Sequence, residues 1–108
     1  EYQKAIDHLD RFNLNDEVIA PMAKGALGDA FLQINQPKEA LGYFESAISL
    51  SKNSFTTPKY LLKAAITALE IKEPAKALGY LERINEEFPE ATEARQAKAL
   101  TGKAQGLM

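Results

Sequence analysis

The stretch Pro37-Lys38-Glu39-Ala40-Leu41-Gly42-Tyr43-Phe44-Glu45 returns 37 residues later as Pro74-Ala75-Lys76-Ala77-Leu78-Gly79-Tyr80-Leu81-Glu82. Pro, Ala, Leu, Gly, Tyr and Glu are identical in register. A fainter copy, Lys4-Ala5-Ile6-Asp7-His8-Leu9-Asp10, precedes both. A period of this length is the mark of stacked units, none of which can bury its apolar face alone. Repetition therefore restricts the chain to an array whose core is continuous from unit to unit.

The units are helical. Ala5, Ile6, Leu9 and Phe12 recur at three and four residues, which predicts a helix over Tyr2 to Phe12. Asn13-Leu14-Asn15-Asp16 breaks it, with Asn15 or Asp16 as the expected cap of a second helix from Glu17 to Ile34. That helix presents Ala23, Leu27, Ala30, Phe31 and Ile34, with Pro21 near its start. Asn35-Gln36-Pro37 ends it, since the residue before proline is driven out of the α region. A third helix from Pro37 to Ser51 presents Ala40, Leu41, Phe44, Ala47, Ile48 and Leu50. After a polar loop, Thr57-Pro58 reads as a threonine cap followed by proline at the first helical position. The fourth helix, Pro58 to Ile71, has an apolar set wide enough for two neighbours: Tyr60, Leu61, Ala64, Ala65, Ala68 and Leu69. Lys72-Glu73-Pro74 repeats the earlier turn, a fifth helix runs from Pro74 to Glu87, and a weakly apolar last helix from Ala91 to Gln105 faces water where the array stops. Short turns make successive helices antiparallel.

Other classes are disfavoured. Lys and Arg number 13 against 15 Asp and Glu, a net charge of −2 with interspersed signs, and no basic stripe calls for nucleic acid. There is no cysteine and a single histidine, His8, so a metal site would rest on carboxylates alone. Glu86, Glu87 and Glu90 form a short cluster near a helix end and read as solvated charge. The glycines are scattered through helices, and Gly25-Ala26-Leu27-Gly28 lacks the strand that a dinucleotide loop requires. No cofactor is implied, catalysis is the least supported class, and no segment is apolar enough to insert into a membrane. Tyr43 and Tyr80, one period apart, are expected to pack on neighbouring helices, with a small aromatic contact surface as the alternative.

The layout resembles the tetratricopeptide repeat, a helix–turn–helix unit of about 34 residues. Leu27-Gly28, Phe31, Ala40, Phe44 and Ala47 carry the resemblance in one unit. Leu61, Ala64-Ala65, Ala68, Ala77, Leu81, Ile84 and Pro89 carry it in the next, where Ala65 stands for glycine and Ala68 for the usual aromatic. In this pattern glycine allows the closest helix crossing, and Phe31 and Phe44 fill gaps between units. The three extra residues of the period fall in the Ser51–Thr57 connection. The resemblance implies an all-α, right-handed superhelix of helical hairpins as one domain. Residues 1–16 give the second helix of a truncated repeat, 17–54 and 55–91 two repeats, and 92–108 a capping helix.

It also implies function: non-catalytic binding of a protein or peptide in the concave groove made by the first helix of each unit. By position that groove takes Met22, Gly25, Asp29, Leu32 and Gln33, then Lys59, Leu62, Lys63, Ile66, Leu69 and Glu70. Met22, Leu32, Leu62, Ile66 and Leu69 would receive apolar side chains or a helix, with Asp29, Lys59, Lys63 and Glu70 as orienting rim charges. The family's lysine–asparagine clamp for carboxylate tails is not present, since Gly25, Asp29, Leu62 and Ile66 stand in its place. Self-association of the groove or of exposed repeat ends is the alternative function. More narrowly, Tyr2–Asp7, Pro21–Asp29 and Thr57–Ala64 are similar to bacterial membrane-anchored proteins related to the ancillary Sec-translocon subunit. That similarity implies an envelope or periplasmic location, through an anchor upstream of a chain read as part of a longer protein.

Overall fold

The computed structural model describes residues 18–108, and the expectations for Tyr2–Phe12, His8 and the Asn15 or Asp16 cap lie outside that range. Five helices follow one another, with no strand among the described residues: α1 Ile19–Gln33, α2 Pro37–Leu50, α3 Thr57–Glu70, α4 Pro74–Glu87 and α5 Glu93–Gly106. Each packs on the next, and α5 also touches α3. The result is a run of antiparallel hairpins, α1–α2 and α3–α4, ended by a single helix, the architecture expected of a tetratricopeptide-like array.

The two hairpin turns are built alike, for a reason visible in the backbone. Asn35 and Lys72 both sit in the left-handed region, with φ of 59° and 63°. In the first turn the Gln36 and Asn35 amides donate to the carbonyls of Phe31 and Leu32, at 2.9 and 3.0 Å. In the second, Glu73 and Lys72 donate to Ala68 and Leu69, at 2.8 and 3.1 Å. This is the Schellman arrangement, which satisfies carbonyls that a helix end would otherwise leave open. Pro37 and Pro74 then open the following helices, where no amide is needed. Lys72 is a poorer occupant of left-handed backbone than asparagine or glycine. Lys72→Gly is therefore expected to stabilise the chain by about 0.5–1 kcal/mol, read as a raised urea midpoint at constant slope.

The core runs along the array without a gap. Ala40, Leu41, Phe44, Ala47 and Ile48 of α2 are buried, as are Tyr60, Leu61, Ala64, Ala65 and Ala68 of α3 and Ala77, Leu81 and Ile84 of α4. Helix α3 thus buries both sides of a broad face, one on α2 and one on α4. Alanine keeps these helices close, and Phe44, Leu61, Leu81 and Ile84 fill the intervening space.

Several sequence expectations change. Ile34 lies past the end of α1 and is 59% exposed, and Leu50, in the last turn of α2, is also exposed. Phe31 is half-buried against the core, and its ring stacks on Tyr43 of the same hairpin, centroids 5.2 Å apart. Thr57 is no cap. It is the first residue of α3, and neither it nor Thr56 makes a side-chain capping bond. Its hydroxyl is drawn instead into a buried cluster with Ser51 and Thr56.

Candidate partner-binding face

Helices α1 and α3, the first helices of the two hairpins, meet through residues about one unit apart. Gly25 lies under the ring of Tyr60, so close that a Cβ there would overlap the ring carbons. Gly25 therefore serves helix contact and offers nothing to a groove. Further along, the Lys63 ammonium donates to both carboxylate oxygens of Asp29, at 2.7 and 2.9 Å. The same ammonium lies 5.8 Å from the centroid of the Phe44 ring. With the side chains 33% and 45% exposed, this pair is screened by solvent and fixes geometry more than it adds stability.

The site residues divide accordingly. Met22 on α1 and Ile66 on α3 are 37% and 42% exposed, so both offer apolar surface to solvent. Leu32, Leu62 and Leu69 are half-buried and lean on the core, so each offers only part of its surface. Gln33, Lys59 and Glu70 are exposed. The Lys59 ammonium stands 5.4 Å from the centroid of the Tyr60 ring. Asp29 and Lys63 satisfy one another, whereas Lys59 and Glu70 make no ion pair among the described residues.

Burial, and secondarily the Asp29 charge, push the Tyr60 phenol up to about 12 from an ordinary 10.0. The neutral phenol is the form the fold favours. Its stabilising contribution is complete below pH 10.0 and is lost as pH rises toward about 12. Tyr80 shifts upward too, first through burial and then because its hydroxyl donates to Glu45. Glu45 is also 3.7 Å from Lys76, so the second helices of the two hairpins are tied by a polar contact where the first helices have Asp29–Lys63. Tyr43 and Tyr80 are both half-buried against neighbouring helices.

The remaining candidates stay solvated. Glu86, Glu87 and Glu90 are exposed, with Glu87 paired to Arg83 at 3.2 Å. Among the described residues no group of three or more His, Cys, Asp or Glu is arranged to hold a metal, and no helix is long and apolar enough to cross a membrane.

One feature was not foreseen from the sequence. In the loop between α2 and α3, the Asn53 Oδ1 accepts the amides of Phe55 and Thr56, at 2.9 and 2.7 Å, and the Thr56 hydroxyl at 3.1 Å. With the Thr56 proton committed there, Ser51 donates to Thr56, and Thr57 donates to Ser51 at 2.7 Å. The loop is thereby fixed, and Phe55 projects from it at 78% exposure. Asparagine two residues before an aromatic was the available signal, since its side chain readily closes an Asx turn.

A tetratricopeptide repeat family model matches residues 59–91, which takes in nearly all of α3, the whole of α4 and the following connection. The α3–α4 hairpin thus carries the family's signature, and its repeats generally mediate protein–protein interaction and are typically non-catalytic. No curated protein and no solved structure gives a match.

Proposed function

We propose that the chain is a non-catalytic scaffold that binds a protein or peptide along the face formed by α1 and α3. The observation that carries this reading is the exposure of Met22 and Ile66 on two helices bridged by Asp29 and Lys63. Both helices pack on α2, which holds the apolar contacts in fixed relation, so a partner's side chains dock with little ordering cost. Half-buried Leu62 and Leu69 extend the apolar area, and Lys59 and Glu70, near opposite ends of α3, set the partner's direction. The fit is to an apolar peptide or helix flanked by charges, read chiefly by burial.

Panning a random peptide library against the chain tests this. Recovered peptides are expected to be apolar and to lose binding at least about tenfold on Ile66→Asp, with the circular dichroism spectrum unchanged. Peptides whose affinity survives both Met22→Asp and Ile66→Asp would place recognition elsewhere. A location at the bacterial envelope, with tethering through an upstream segment, is proposed on the resemblance of Tyr2–Asp7, Pro21–Asp29 and Thr57–Ala64 alone. Fractionation of the full-length protein tests it, and recovery in the soluble cytosol would refute it.

A further inference from the structure

We infer that the edge of the array bearing Phe55 is a two-fold self-association surface, on which Phe55 of one copy enters a recess beside Phe88 and Pro89 of a second. Phe55 is the most exposed large apolar side chain among the described residues, and Asn53 already fixes its backbone. An aromatic held out in this way contributes a large contact area with little entropy left to lose. The recess has a volume of ≈ 260 Å³ and lies between the loop after α2 and the end of α4, lined by Ser54, Glu87, Phe88, Pro89, Glu90 and Ala91. Ser54 adjoins Phe55, yet Phe55 at 78% exposure does not fill the recess of its own copy.

Two observations select a second copy of this chain as the occupant. Projection and recess lie side by side on one edge, so a two-fold axis between them seats both aromatics at once and closes the assembly at two. The charges also match. Lys52 on the projecting loop and Glu90 on the recess rim are exposed, and neither makes an ion pair among the described residues, whereas Glu87 is held by Arg83. In the proposed pairing each Lys52 would meet the opposite Glu90. This surface shares no residue with the proposed partner face, so the two proposals stand or fall separately.

Sedimentation velocity of the full chain over about three decades of concentration tests the inference. The expected result is a reversible dimer whose dissociation constant rises at least about tenfold on Phe55→Ser, with unchanged helicity. Lys52→Glu and Glu90→Lys should each weaken the dimer, and the two together should restore it. A chain that stays monomeric throughout would overturn the inference and leave this edge to a different protein. So would a dimer indifferent to Phe55→Ser, a charge exchange that fails to restore, or a dimer disrupted instead by Ile66→Asp.

Discussion

Phe44→Ala is expected to cost about 3–5 kcal/mol, the largest loss from any single side chain considered. Phe44 is wholly buried in α2, with its ring against Gly28 of α1 and the Lys63 ammonium 5.8 Å from the ring centroid. Truncation leaves a cavity at the point where the first hairpin meets α3. Helix α3 cannot collapse into it without giving up contacts with α4. Native stabilities lie in the range of about 5–15 kcal/mol, so much of the total is at stake. Equilibrium urea unfolding checks the value, and a change below about 1 kcal/mol would show that the ring is not the centre of that junction.

Gly28→Ala should destabilise by about 1–3 kcal/mol, opposite in sign to the usual effect of replacing a helical glycine. A Cβ at Gly28 overlaps the edge of the Phe44 ring, which is buried and has nowhere to swing. Gly79, also inside a helix, has open space where its Cβ would be. Gly79→Ala is expected to stabilise by about 0.5–1 kcal/mol, and the contrast isolates the steric term from helix propensity. In a Phe44→Ala background the Gly28→Ala penalty should largely vanish, because the colliding ring is gone. Additive losses in that double mutant would contradict the contact.

The internal period was enough to read off the hairpins, since each local signal agreed with the next. Pro37 and Pro74 marked helix starts, and Ala40, Phe44, Ala77 and Leu81 repeated on one face. The positions that differed are those decided by residues distant in the chain. Gly25 looks like a groove position by register, but Tyr60 of the next hairpin covers it. Asp29 and Lys63 read as independent rim charges, yet they neutralise each other across two helices. Their separation of about one unit was the only hint. The stack of Phe31 on Tyr43 joins two helices through residues twelve apart, which the repeat period does not mark. Thr57 failed as a cap because three hydroxyls and Asn53 compete for the same protons, a contest that no short motif decides.

The buried face of α5 consists of Ala94, Ala97 and Ala104, helped by half-buried Leu100. Methyl groups remove little surface from water, so this final rod is held by shape far more than by hydrophobic attraction. Helix α5 is therefore expected to open before α3 and α4, the helices it packs on. Amide exchange should be faster in α5 than in α3 and α4, and its transient departure would bare their flanks as a second, short-lived apolar surface.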